Sequence, residues 1–256
     1  MKTRRDWVWL SVVMRWQKHR PRLAWRFAAA GSTVVVGRTD LCATLAAEGL
    51  GTVELDVTDS GSVLRARDAV LAEHPGVDTV VTMSGVMLLV DLRGPGHTAA
   101  AETTIATNLL GTIRVIDAVT PHLVGRGAGT IVTVSSGIGF LPFPPMPTYA
   151  ASKAGVHAYS EALRAQLDRT DVEGVELMPP AVATTPEHER QSPHALTLTG
   201  YLDEVTGLLS ADPTPHEVLV RGVLMHRWPS GTAERDGTDA DLVARRSQAL
   251  SLLPGR

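Results

Sequence analysis

Cysteine is nearly absent. A single residue, Cys42, in 256 excludes a disulfide framework and any metal site built from thiolates. Asparagine occurs once, at Asn108, and lysine three times, at Lys2, Lys18 and Lys153, against 21 arginines. The arginine excess marks a GC-rich coding sequence. Charge of either sign is modest: the formal net charge is -3 and no long basic tract exists, so a dedicated nucleic-acid binder is not expected. Long apolar runs are missing as well. The longest near the start covers residues 7–14, far short of the roughly 18–20 residues of a membrane-spanning helix. Lys2, Arg4 and Arg5 precede this run as they would a signal peptide. However, Arg15, Lys18, His19, Arg20 and Arg22 follow where a cleavage site is small and neutral. A cytoplasmic protein with no membrane contact is expected. The nine histidines form no HExxH and no tight HxH pair, so no metal is expected.

What is present is apolar and periodic. Hydrophobic residues make up 44% of the chain, enough to bury a large core. No repeat and no low-complexity linker divides it, so residues 1–256 are read as one domain. Strands are predicted at residues 32–36, 52–57, 78–82, 129–134 and 174–178, each β-branched and apolar on both faces. Helices are predicted at 40–48, 60–74, 98–123 and 148–168, the second stopped by Pro75-Gly76. Alternating strands and helices give an α/β fold with a doubly wound parallel sheet of the Rossmann type. Ligands of such sheets sit beyond the carboxyl ends of the strands. The residues to inspect are therefore Gly37-Arg38, Asp56, Met83-Ser84-Gly85, Ser135-Ser136 and Pro179-Pro180.

Tyr149 and Lys153 stand four apart at the start of a predicted helix, on one face. A phenol with its ordinary pKa of about 10 is a poor acid–base at neutral pH, and a nearby ammonium lowers that value. Tyr149 could then exchange a proton with a substrate oxygen. Ser136 follows an apolar strand, and its hydroxyl can both donate to and accept from the same oxygen. Asn108 falls inside a predicted helix, where it is disfavoured and can loosen the hydrogen-bond ladder. Each has an ordinary reading alone: a surface Tyr and Lys, a capping Ser, a solvated Asn. Together they interlock.

Asn108-x-x-Gly111, Ser136 and Tyr149-x-x-x-Lys153, in this order and spacing, resemble the short-chain dehydrogenase/reductase family over about residues 26–185. The resemblance implies an NAD(P)-binding sheet and hydride transfer between nicotinamide C4 and an alcohol or carbonyl carbon of a small molecule. It makes Tyr149 the acid–base and has Ser136 position the reacting oxygen. Lys153 would lower the phenol's pKa and hold the nicotinamide ribose, and Asn108 would anchor a water linking Lys153 to solvent. Asp56 and Val57 match the adenine-contacting positions. Ser84 and Gly85 stand where the family has Asn-Ala-Gly. Val182 and Thr184, in Pro179-Pro180-Ala181-Val182-Ala183-Thr184, match the carboxamide contacts. Arg38 after the second strand can pair with a 2′-phosphate, where NAD enzymes place an acid, so NADP is preferred over NAD.

The resemblance further implies a homodimer or homotetramer, joined through the predicted helices at 98–123 and 148–168. Residues 186–256 would supply a substrate loop and C-terminal helices, the last near 239–253. Pocket walls are expected at 86–96, 140–147 and 187–201, rich in Pro, Met and Phe. The tail from Leu198 is similar to an oxidoreductase subfamily named after a teichoic-acid D-alanylation operon.

Residues 1–22 depart from the pattern, and the first strand is expected to be disturbed. The family places Thr-Gly-x-x-x-Gly-Ile-Gly where this chain has residues 14–22 (MRWQKHRPR), and no glycine precedes Gly31. Backbone N–H groups of that motif approach the pyrophosphate closely, whereas Pro21 has no N–H and Trp16, Arg20 and Arg22 are bulky. A cofactor-deficient binding protein keeping the fold is the alternative function. Read one base out of frame, GC-rich codons for residues 15–22 permit Gly-Gly-Arg-Ser-Ile-Gly-Leu. Residues of about 6–22 are thus an out-of-frame candidate, which resequencing the gene tests.

Overall fold

The computed structural model describes residues 7–11, 22–40, 42–183 and 195–227. In chain order the elements are β1 (Trp7–Ser11), α1 (Arg22–Ala29), β2 (Thr33–Arg38), α2 (Cys42–Ala47), β3 (Gly51–Glu54), α3 (Ser60–Glu73), β4 (Thr79–Thr82), α4 (Thr98–Ile105), α5 (Gly111–Arg126), β5 (Gly129–Val134) and α6 (Pro147–Leu167). They continue with β6 (Val172–Met178), β7 (Val182–Ala183), β8 (Leu196–Thr197), α7 (Leu198–Leu209), β9 (Glu217–Leu219) and α8 (Leu224–Arg227). Seven strands pair in parallel in the order β3-β2-β1-β4-β5-β6-β9, and β7 pairs with β8 apart from them. This is a doubly wound α/β sheet of the Rossmann type.

Period-two alternation sorts the strand residues between two apolar layers. Val34 and Val36 of β2, with Val81, Val132, Val175 and Leu177, pack under α1 and α7. Val35, Val80, Ile131 and Val172 turn to the other face, under α3 and α5. Each fully buried branched side chain contributes about 1.5–3 kcal/mol, and with both faces covered the strands read as unbroken apolar runs.

Three boundaries differ from the sequence expectation in ways that bear on the site. β2 runs on to Arg38, so Arg38 ends a strand instead of following it. β3 stops at Glu54, leaving Asp56 and Val57 beyond the strand. The long helix predicted over residues 98–123 is interrupted by a π-helical turn, Ala106–Leu110, with Asn108 inside it. α7 falls within residues 186–256, where C-terminal helices were expected, β9 had no clear sequence signal, and the helix predicted near 239–253 lies outside the described residues. The first strand, expected to be disturbed, pairs along its backbone with both β2 and β4. The segment that would hold the glycine motif, from residue 12 to 21, lies outside the described residues.

Gly111 shows why the turn after Asn108 needs a glycine. A Cβ there would lie 2.6 Å from Val57 Cγ2 and 2.9 Å from Val57 Cβ. Gly→Ala normally stabilises a helix by up to about 1 kcal/mol, but overpacking costs about 1–3 kcal/mol, and the clash is the larger effect. Gly111→Ala is expected to lower the denaturant midpoint and to displace Val57. An unchanged or higher midpoint would contradict this packing.

Candidate active site

Strand order reverses between β1 and β4, because β1 pairs with β2 on one side and β4 on the other. Connections from the two strands then leave in opposite directions, and a crevice opens beyond their carboxyl ends. Ser84 and Gly85 follow β4, Ser135 and Ser136 follow β5, and the start of α6 brings Tyr149 and Lys153 alongside.

Lys153 is 4% exposed. Its Nζ donates to the Val134 carbonyl at 2.7 Å and lies over the Tyr149 ring, 5.8 Å from the centroid. Burial pushes the ammonium down to about 8, while the charge of Glu176 opposes the fall. Burial pushes the Tyr149 phenol up to about 12, and interaction with the Ser136 hydroxyl opposes that rise. Burial thus acts against the acidification expected from Lys153. Loss of hydration raises the value because a charged phenolate loses more on leaving water than the neutral form.

Ser136 is 8% exposed. It caps the short turn Gly137–Gly139, its Oγ accepting from the Ile138 N–H at 3.4 Å. Both the capping reading and the site position hold for this residue, since it caps where β5 ends. The neighbouring Ser135 Oγ is buried with no partner among the described residues.

Asn108 is fully buried. Its Oδ1 accepts from the Val86 N–H at 2.7 Å, and its Nδ2 donates to the Val86 carbonyl at 2.9 Å and to Ser152 Oγ at 3.0 Å. Ser152 in turn donates to the Tyr149 carbonyl at 2.8 Å. The amide thus braces the loop after β4 against the helical turn that carries Tyr149 and Lys153. Its own carbonyl accepts from Thr112 Oγ1 at 2.9 Å, so water anchorage there shares an oxygen already in use. Ser152 escaped the sequence reading because a serine within Tyr-x-x-x-Lys looks like filler. Its placement on the Asn108 side of the helix is the only signal it gives.

At the other end of the crevice a cleft of about 630 Å³ is lined by Arg38, Asp40, Asp56, Val57 and Thr107, among others. Arg38 was expected just after β2, as a partner for a 2′-phosphate, with a solvated loop arginine as its ordinary reading. Instead it is 2% exposed, and its Nε and Nη2 donate to Asp40 Oδ1 at 3.0 and 2.7 Å. Its Nη1 is buried without a partner among the described residues. Asp56 Oδ1 accepts from the Thr58 N–H and hydroxyl at 2.9 and 2.7 Å, which fixes the turn after β3. Among the described residues a Cβ on Gly85 would meet only Asn108, at 3.5 Å, so none of them demands glycine there.

Of the expected walls, residues 86–96 and 140–147 are joined by the Val90 N–H to Pro145 carbonyl bond at 2.9 Å. Tyr201 is a buried phenol, held well above the ordinary tyrosine range by burial and by the charge of Tyr149. Val182 is in β7, partly buried against the α1–α7 layer. Thr184 lies outside the described residues, as does most of the third wall. His157, Glu161 and Glu217 bring ligand-type atoms within 4.8 Å of one another. Arg227 already bridges Glu217 at 3.2 Å, and a protein cation there weakens any case for a metal. No described helix is long and apolar enough to cross a membrane.

Comparison with known proteins agrees with this fold. A family model described as short chain dehydrogenase matches residues 22–195, starting just past the segment that lacks glycine. The chain is 29% identical over 187 residues to the uncharacterized oxidoreductase DltE of Bacillus subtilis, covering 71% of this chain and 74% of that one. It is 32% identical over 198 residues to sulfoacetaldehyde reductase 2 of Chromohalobacter salexigens, covering 74% and 75%. Among solved structures, a short-chain dehydrogenase from Streptomyces avermitilis superposes with a TM-score of 0.72 at 20% identity, covering 95% of this chain and 98% of that chain. Serine dehydrogenase from Escherichia coli superposes with a TM-score of 0.69 at 24% identity, covering 80% and 91%.

Proposed function

We infer that this chain, which belongs to the short-chain dehydrogenase family of NAD(P)-dependent oxidoreductases, moves a hydride between nicotinamide and the alcohol or carbonyl carbon of a small molecule, with Tyr149 as acid–base. The observation that carries the reading is the buried ammonium of Lys153, pinned to the Val134 carbonyl at 2.7 Å beside Tyr149 at the crevice. A buried cation is costly, and a structural helix has no use for one at this point.

The residues fit a dinucleotide at two of its three parts. At the adenosine end Arg38 offers a buried donor with no partner among the described residues, and Asp56 and Val57 line the same cleft. At the reacting end Ser84, Gly85, Tyr149, Lys153 and Val182 would surround the nicotinamide riboside, with Thr184 as the carboxamide contact. When bound, the nicotinamide supplies or accepts the hydride at C4. Tyr149 holds the exchanging proton at Oη, Ser136 orients the substrate oxygen, Lys153 holds the ribose hydroxyls, and Asn108 keeps the helical turn in register. For the pyrophosphate the sequence offers no glycine before Gly31. Each lost donor to a charged group costs about 1.5–3 kcal/mol, against about 8 kcal/mol for a micromolar complex. That absence supports the second reading, a protein that keeps the fold and has lost useful cofactor affinity. Titration with NADPH, followed by tryptophan fluorescence, separates the two: saturation below millimolar together with oxidation by a ketone panel supports the enzyme, and no binding at millimolar supports the rival.

NADP is the preferred cofactor in this reading, because Arg38 Nη1 can donate to a 2′-phosphate while Asp40, 65% exposed, can turn away. Arg38→Ala should lower the ratio of NADPH to NADH efficiency by roughly 10–100-fold, the worth of one charge-assisted pair. An unchanged ratio would remove the assignment. The substrate is read as small and apolar or mixed, from the Pro-, Met- and Phe-rich walls, and the working form as a homodimer or homotetramer through α4–α5 and α6.

A further inference from the structure

Among the described residues Glu176 is the only fully buried acid, at 0% exposure. It interrupts an apolar strand, and an uncompensated carboxylate there would cost several kcal/mol. The sheet register sets it directly across from Thr133, one residue before the Val134 carbonyl that holds Lys153. Its carboxylate faces α6, where His157 Nδ1 lies 2.9 and 3.1 Å from its two oxygens. His157 is one helical turn past Lys153. On its other side His157 Nε2 is 3.6 Å from Glu161, which is 55% exposed.

We propose that the buried Glu176 and the half-buried His157 form a positioning pair that governs how firmly Lys153 keeps its proton. The inference rests on the proposed function only for its consequence, since Lys153 serves catalysis in that reading alone. Lys153 sits in a dry site that expels its charge, and the Glu176 carboxylate is the group that counters this. His157 is lifted above its ordinary range, first by its hydrogen bond to Glu176, with burial acting against it. While His157 carries a proton, it neutralises part of the carboxylate and weakens its hold on Lys153. When His157 loses that proton through Glu161 to solvent, the full carboxylate charge falls on Lys153 and keeps it cationic.

Four neighbouring elements, α6, α8, β9 and β5, bring other charged groups toward the pair, or none, and Glu217 of β9 comes within 4.8 Å of His157. Arg164 of α6 approaches Glu176 only to 3.9 Å, and its Nε and Nη2 have no hydrogen-bond partner among the described residues. Arg227 of α8 is committed to Glu217 of β9 at 3.2 Å and stacks over Phe140 at 4.9 Å. Phe140 meets the His157 ring edge-on at 4.6 Å, fixing the imidazole plane. β5 contributes no titratable side chain in residues 129–134.

The small lysine count makes a direct test practical. In the full chain carrying Lys2→Arg and Lys18→Arg, Lys153 is the sole lysine, and its 13Cε chemical shift reports its protonation between pH 6 and 11. Glu176→Gln keeps the shape and a hydrogen bond to His157 but removes the charge, and should move the midpoint down by about one pH unit or more, a tenfold loss of proton affinity. His157→Gln should move it up. Glu176→Asp, which retains the charge, should return it toward the parent value. It also serves, with His157→Gln, if the Glu176→Gln variant does not fold. Midpoints that do not move, or that move the same way in Glu176→Gln and His157→Gln, overturn the proposal. The measurement needs neither dinucleotide nor substrate. A chain that reduces nothing would therefore sink the functional reading while leaving this one to be judged on its own result.

Discussion

Tyr149→Phe is expected to lower turnover by about 10²–10⁴-fold, the usual worth of a positioned general acid–base, with dinucleotide affinity retained. The substitution removes one oxygen from a ring that remains packed, so a fall in turnover without a fall in binding isolates proton transfer. The phenol, pushed up to about 12 in the protein by itself, stays protonated across the neutral range. That state suits donation to a carbonyl oxygen as hydride arrives. In the reverse direction the proton must first leave, so alcohol oxidation should climb with pH above neutrality while ketone reduction stays flat. Steady-state rates in both directions from pH 6 to 10, beside dinucleotide fluorescence titration, check both statements. More than a tenth of the parent rate in Tyr149→Phe would remove Tyr149 from its role.

The second large effect has opposite signs for activity and stability. Lys153→Met should abolish measurable turnover, yet the variant should melt higher than the parent at pH 7. The ammonium falls from an ordinary 10.5 to about 8 in the fold, so the native state binds this proton more weakly than the unfolded chain does. Below about 8 the full penalty is present, roughly 3 kcal/mol, and it fades as pH rises from 8 to 10.5. Methionine avoids it and forfeits a charge-assisted bond to Val134 worth about 1.5–3 kcal/mol. A net gain on the order of 1 kcal/mol corresponds to about 2–4 °C for a domain of this size. Melting curves at pH 7 and at pH 10 test this directly. The gain should be present at the first and nearly gone at the second, and a lower melting point at pH 7 would contradict it. A site that sacrifices stability to keep a buried cation is behaving as functional sites do.

The candidate site was legible in the sequence to the extent that its residues lie near each other along the chain. Tyr149 and Lys153 share a helix face because four residues nearly complete a turn, and no tertiary contact is needed to see it. Asn108 was conspicuous as the sole asparagine, and its conflict with helix propensity emerged as a π-helical turn at that place. The burial of Arg38 was not legible because the expected strand ended two residues early. Once inside β2, the guanidinium is drawn from solvent and takes Asp40 as its counter-ion. Glu176 left one trace, a lone acid in the apolar run Val175-Glu176-Leu177-Met178. What it paired with could not be read, since His157 is 19 residues away and reaches it only through the packing of α6 on β6.

The sequence by itself determined the alternation of strands and helices, the two-faced burial of the sheet, and the four-residue spacing of phenol and amine. These depend on local periodicity and on the chemistry of single side chains, which a linear string carries in full. Tertiary structure alone decided that burial acts against ionisation of the phenol, that Asn108 braces Val86 and Ser152, and that Glu176 meets His157. Those outcomes hinge on strand register and on how much water each group loses, and both are set only when distant segments close on one another.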